Sequence, residues 1–253
     1  MRFAEHRTAA PIVPSGDGGA RKPGGNATLM AETVPEAGLP VRNGSPPRQR
    51  SGRRTGPGAS VRKRLFDIAA ASCGLVFLAP LLVTLALLVR LDSRGPALFR
   101  QARTGRGGRP FMIYKFRTMA VMEAGHDARQ AVPDDPRITR IGRFLRRSSL
   151  DELPQLLNVL LGDMSIVGPR PHALAQDAHY GPLVPDYADR FRTRPGVTGL
   201  AQVAGFRGPT ATTERMAQRV ALDNAYIDGW RFSRDISILW RTVKVVILGD
   251  HAH

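Results

Sequence analysis

Residues 65–89 form a run of roughly 25 residues with a single charge, Asp67, near its start. A helix at the surface of a soluble protein keeps one polar face, so a stretch apolar on every side and this long is predicted to enter a bilayer. The rest of the fold must then be arranged around a membrane-embedded helix. Arg62, Lys63 and Arg64 precede the run, and Arg90, Arg94, Arg100 and Arg103 follow it, so both flanks read as cytoplasmic. Pro80 sits mid-segment, where it deletes a helical hydrogen bond and can bend the helix sharply. A re-entrant helix that breaks at Ala79-Pro80 and leaves by the face it entered satisfies both observations; a proline-kinked span is the rival.

The chain on either side reads differently. Residues 1–60 are rich in Gly, Pro, Ala, Ser and Arg and predict a disordered basic tail, without the apolar core of a cleavable signal. Beyond the apolar run there is no second stretch of spanning length and no internal repeat, so residues 93–253 read as one cytoplasmic domain. Residues 97–99 and 110–116 predict short strands joined by the glycine turn at 105–108. Ile138, Ile141 and Leu145 fall at helical spacing among Arg140, Arg143, Arg146 and Arg147, and residues 236–248 repeat the theme with Trp240, Arg241 and Lys244. Both suit amphipathic helices at a membrane interface. The fold class expected is α+β, mainly helical, with a small β element.

A formal net charge of +16 and a pI near 11.4 predict attraction to polyanions: nucleic acid, anionic lipid or phosphorylated substrates. The single cysteine, Cys73, excludes an intrachain disulfide and a cysteine-based metal site, and the six histidines form no zinc-binding pattern. Aromatic residues make up 6% of the chain and no nucleic-acid reading module is present, so a nucleic-acid binder is the weaker class. A noncatalytic membrane scaffold is the other alternative.

Chemistry is concentrated at Ser149-Leu150-Asp151-Glu152-Leu153-Pro154-Gln155, which sets two adjacent carboxylates just after a cationic run. Guanidinium groups neutralise and orient a phosphate that carboxylates alone would repel, leaving one acid to attack or to hold magnesium. Ser149 and Glu152 also fit a capping box, with Pro154 near a helix start. Gly168-Pro169-Arg170-Pro171 reads as a rigid turn that fixes Arg170 between two prolines. Arg194 opens a tight loop, 194–199, whose backbone N–H groups are placed to meet phosphate.

These pieces, with Lys63-Arg64-Leu65-Phe66-Asp67, Lys115-Phe116-Arg117-Thr118-Met119, Gly162-Asp163-Met164-Ser165-Ile166-Val167 and Arg194-Pro195-Gly196-Val197-Thr198-Gly199, resemble the bacterial sugar transferase family of monotopic phosphoglycosyl transferases. The resemblance implies transfer of a sugar 1-phosphate, a hexose 1-phosphate, from a UDP-sugar to polyprenyl (undecaprenyl) phosphate in exopolysaccharide assembly, with release of UMP. It implies a catalytic domain at the cytoplasmic face of the bacterial inner membrane. Asp151 maps to the family's nucleophile and Glu152 to a magnesium ligand. Lys115, Arg117, Arg146, Arg170 and Arg194 are the expected phosphate-binding residues. Gly205-Phe206-Arg207-Gly208 is similar to a stretch in members that act on UDP-hexoses, which puts UDP-glucose first and UDP-galactose second. Asp223, Tyr226 and Trp230 match a family block, although core packing accounts for them equally well. The family's membrane helix often breaks at Ser-Pro, and here the pair is Ala79-Pro80.

Overall fold

The apolar run becomes one α-helix, α1 (Val61–Asp92), in the computed structural model, which describes residues 56–120, 135–208 and 212–248. Residues 1–55, the bulk of the expected tail, lie outside the described residues. Ser60 caps α1 by accepting from the Lys63 N–H at 3.3 Å. Helical structure continues through Ala79 and Pro80, so the expected break does not interrupt it. Proline removes one donor there, and Thr84 donates its hydroxyl to the Pro80 carbonyl at 2.9 Å. α1 is long and apolar enough to cross a membrane, and only 11% of its most apolar stretch is buried against the protein. Val76, Phe77, Val83, Leu87 and Leu91 are exposed.

Both ends of α1 are fastened to the same body. Near the start, Lys63 donates to Asp235 at 2.8 Å, Asp67 accepts from the Ile166 N–H, and Arg64 donates to the Val159 and Leu160 carbonyls. Near the finish, Arg117 donates to the Val89 and Ser93 carbonyls, as a cation does at the negative end of a helix.

The predicted hairpin is present as antiparallel β1 (Leu98–Thr104) and β2 (Pro110–Phe116). β1 is longer than expected because its partner extends to Pro110, and the turn uses Gly107 at φ 69°, a conformation that glycine adopts without steric cost. Phe99 faces Lys115, Gln101 faces Ile113 and Arg103 faces Phe111, which sets these residues in rows on one face. α2 (Arg140–Ser148) begins after Thr139 and turns Leu145 into a core with Leu85, Val89 and Phe116; Ile138, expected within the helix, instead bridges Met119. Gly142 lies so close to the Thr118 backbone that any Cβ would collide with its carbonyl, and this lets α2 press onto the segment after β2.

The larger core gathers Ala71, Ile113, Val159, Met164, Ile166, Tyr226 and Ile238. It joins α1 and β2 to α3 (Gln155–Leu161), β3 (Ser165–Val167), α6 (Thr213–Asp228) and α7 (Phe232–Leu248). Between these lie α4 (Leu174–Tyr180), a 3-10 helix (Tyr187–Arg192), β4 (Gly196–Thr198) and α5 (Leu200–Val203). β3 and β4 pair in parallel. The middle of the expected 194–199 loop is therefore a strand: the Gly196 N–H is spent on the Pro169 carbonyl at 2.8 Å and so is not free for phosphate, and the Thr198 carbonyl accepts from the Gly168 N–H at 2.8 Å.

Candidate active site

Ser149 does not N-cap a helix through its side chain. It sits in the left-handed region at φ 60° as the end of α2, and Leu150–Glu152 form one 3-10 turn before α3 starts behind Pro154. The capping box fails because Glu152 is claimed by stronger partners. Its Oε1 accepts from Lys115 Nζ and from Arg170 Nη2, both at 2.8 Å, and its Oε2 accepts from Arg170 Nη1 at 3.3 Å. A forked, charge-assisted contact of this kind outcompetes a lone backbone N–H.

The tight turn gives the two neighbouring acids different roles. Glu152 is 8% exposed; burial opposes its charge, but Arg170 and Lys115 overrule it and hold the carboxyl well below the usual range. Asp151 forms no hydrogen bond or ion pair with any described residue. Burial, and then the charge of Glu152, push its carboxyl up to about 6 against the pull of Lys115, Arg170 and Arg146. At neutral pH it is an ionised carboxylate with no hydrogen-bond partner among the described residues, a group chemically able to attack an electrophile.

Both acids line a cleft of about 850 Å³. Lys115 comes from β2, Arg146 from α2 and Arg170 from the Pro-Arg-Pro turn after β3, so three expected phosphate ligands meet around the pair. Arg146 is steadied by Nε donation to Thr118 Oγ1 at 2.9 Å, the contact that the close approach at Gly142 permits. Arg117 also lines the cleft, but its Nη2 is turned onto the end of α1, with Ser93 Oγ at 3.0 Å as well as the carbonyls. Arg194 is not brought to the cleft; its Nε donates to the Gly162 carbonyl at 2.7 Å. In all, eight basic side chains face two acids in the lining.

Several lining residues escaped the sequence reading. Arg103 and His172 belong to the cleft, and so does Arg219 of α6. Behind them Arg190 donates to Asp223 Oδ2 at 2.9 Å and to the Arg170 carbonyl at 2.6 Å, while Tyr187 donates to Asp177 at 2.6 Å. Burial and the surrounding guanidinium groups hold His172 well below the usual histidine range, hence neutral. Phe99, Gln101 and Arg103 alternate along β1, a period-two signal that would have placed Arg103 beside Lys115's face had the strand been carried to Thr104. Asp223 turns out to serve Arg190, while Tyr226 and Trp230 both bond Asp235.

Among the described residues no group of three His, Cys, Asp or Glu side chains could enclose a metal. Asp151 offers a free carboxylate and Glu152 one lone-pair direction beyond its three bonds. A pair of hard oxygens fits Mg²⁺, which takes one or two carboxylates and fills its remaining positions from phosphate and water.

Residues 58–249 match the bacterial sugar transferase family. The chain is 54% identical over 193 residues to a UDP-glucose:undecaprenyl-phosphate glucose-1-phosphate transferase of Caulobacter vibrioides, covering 76% of this chain and 72% of that protein. It is 50% identical to the transferase of the same name from Escherichia coli, over 72% of this chain and 39% of the longer relative. An exopolysaccharide production protein of Rhizobium leguminosarum is 48% identical, over 72% of this chain and 94% of its own length. The extent of the family match, together with relatives at this identity, shows that the chain belongs to the bacterial sugar transferase family.

Proposed function

We propose that the protein transfers a hexose 1-phosphate from a UDP-sugar to undecaprenyl phosphate through a covalent aspartyl intermediate. The observation that carries this reading is the Asp151 carboxylate, without a partner among the described residues, beside a Glu152 held by Lys115 and Arg170 with one lone-pair direction to spare. An Asp151 oxygen attacks the phosphorus nearest the sugar, the bond from that phosphorus to the bridging oxygen breaks, and UMP leaves with the electron pair. An oxygen of the lipid phosphate then attacks the same phosphorus, and the Asp151 carboxylate is the leaving group. Lys115, Arg146 and Arg170 hold the phosphoryl oxygens and offset the charge that builds on them. Glu152, fixed by its ion pairs, and Asp151 would hold Mg²⁺, which when bound neutralises charge on the diphosphate. UDP-glucose is the donor in this reading, as in the names of the Caulobacter and Escherichia relatives.

The same reading puts the cleft at the cytoplasmic face of the inner membrane, with α1 entering and leaving by one side. Lys63 and Arg117 fasten opposite ends of α1 to one soluble body, which supports this arrangement, since that body cannot lie on both sides of a bilayer. Labelling from each face at residues 61 and 93 tests it; ends on opposite faces would defeat it. Incubating the protein with UDP-glucose alone tests the chemistry, with the expected result of UMP release and a hexose phosphate mass on Asp151. Full turnover with no such adduct would remove the covalent route.

A further inference from the structure

The cations of the cleft are unevenly neutralised. Arg170 is matched by Glu152, and Arg190 by Asp223 with Asp177 at 3.9 Å. Arg103 and Arg219 have no carboxylate partner among the described residues. Arg219 is 3% exposed, and its contacts are all to neutral groups: the Gly208 carbonyl at 2.5 Å and His172 Nε2 at 3.3 Å. Arg103 likewise meets only Gln101 Oε1 at 2.5 Å and the Pro171 carbonyl at 3.4 Å. Each keeps a buried Nε–H without an acceptor. A buried donor left unmade is costly, and an unpaired buried cation more so, so the fold carries a deficit that an anion in the cleft would remove.

We propose that Arg103 and Arg219, the latter steadied by His172, form a second anion subsite that receives the nucleoside-side phosphate of the diphosphate donor. This rests on the proposed transfer reaction and assigns a role within it. Lys115, Arg146 and Arg170 surround the phosphorus that Asp151 attacks, and a second set of guanidinium groups in the same cleft calls for a ligand with a second phosphate. A diphosphate has one; the lipid monophosphate does not. Position agrees with this. Arg103 lies two rows along the hairpin face from Lys115, about 13 Å in strand distance, and Arg219 stands on α6, which packs on α5 and the 187–192 helix. Arg117 and α2 instead meet the end of α1, the side from which the proposed membrane arrangement would bring the lipid phosphate. Burial, and then the charge of Arg170, lower both Arg103 and Arg219 to about 10 against the weaker pull of Asp177 and Glu152 on the first and of Asp223 on the second, so both remain cationic at neutral pH without a carboxylate in ion-pair contact among the described residues. Their fork donors would meet the phosphate that becomes UMP and stabilise it as it departs.

UMP binding to the full chain in nanodiscs, read by calorimetry, tests the subsite. Arg103→Gln and Arg219→Gln are each expected to weaken UMP by about tenfold or more with the thermal midpoint held, and Arg219→Lys to recover part of the loss. Absence of UMP binding in the parent protein, or unchanged affinity in the glutamine variants, would overturn the assignment. So would a loss of affinity that tracks a fall in thermal midpoint and is not relieved by lysine, because that marks a purely structural role. A raised KM for undecaprenyl phosphate with UMP affinity intact would move these residues to the acceptor and also overturn it. Failure of the transfer reaction is separable: a parent protein that binds UMP through Arg219 yet releases none from UDP-sugars sinks the reaction and leaves the anion subsite measurable.

Discussion

Asp235 and Glu152 each meet a lysine at 2.8 Å, Lys63 in one case and Lys115 in the other. Around Asp235 every charge and donor is answered. Its Oδ1 accepts from Tyr226 at 2.7 Å, its Oδ2 from Lys63 and from Trp230 at 3.1 Å, and the side chain is 0% exposed. Around Glu152 the arrangement is open, with an acid that has no described partner beside it and a surplus of guanidinium groups facing solvent-accessible space. The first cluster fastens α1 to α7 and the core; the second is prepared for a ligand of opposite sign. The same ion pair sits in closed local charge in one place and beside open, unneutralised charge in the other, the setting expected of a structural site and of a binding site respectively.

The contrast can be broken in several places. Asp151→Asn should lower turnover by at least about 10⁴-fold while leaving the protein folded, as measured by UMP release and by helix content. Asp235→Ala should do the reverse, costing about 3–5 kcal/mol of stability by stranding Lys63, as read from denaturant unfolding. If Asp235→Ala were neutral to stability, the fastening role would be lost. Arg170→Lys keeps the charge but loses the fork on Glu152, and is expected to lower kcat/KM by about tenfold or more.

Smaller effects sharpen the comparison. With Asp151 at about 6, kcat/KM should be flat above that pH and fall about tenfold for each unit below it, because the attacking carboxylate must be ionised. The same shift has a stability sign. The folded carboxyl, raised from 3.8 to about 6, binds its proton more tightly than the unfolded chain does, so folding stability declines as pH rises between these values and is level above them. Asp151→Asn should therefore raise the thermal midpoint by a few degrees at pH 7 and show no gain near pH 3.

How much of this was legible in the sequence depends on how local each signal was. The acid pair, Lys115 in its strand and Arg170 between two prolines were readable because each sits in a short segment whose chemistry explains itself. The hairpin and the helices around 65–89, 137–147 and 236–248 were readable from periodicity, whereas the short α4 and α5 were not. The capping box at Ser149 was misread because the competing partners of Glu152, at 115 and 170, come from distant parts of the chain. Nothing local shows that Arg194 answers the Gly162 carbonyl away from the cleft, or that Arg117, which does line it, also holds the end of α1. Arg103, His172 and Arg219 converge only after folding, and β3 and β4 are three residues each, too short to announce a parallel pair.

Pinning α1 at both Lys63 and Val89 fixes the distance between the cleft and the apolar helix, so with α1 in a bilayer as proposed the height of the cleft above the lipid is a fixed dimension of the molecule. In the proposed reaction Asp151 then cannot sink to seek its acceptor, and the polyprenyl headgroup would have to rise to one preset level. Turnover then becomes a gauge of bilayer thickness: lengthening or shortening the surrounding acyl chains changes the distance the headgroup must travel while the chemistry at Asp151 stays the same.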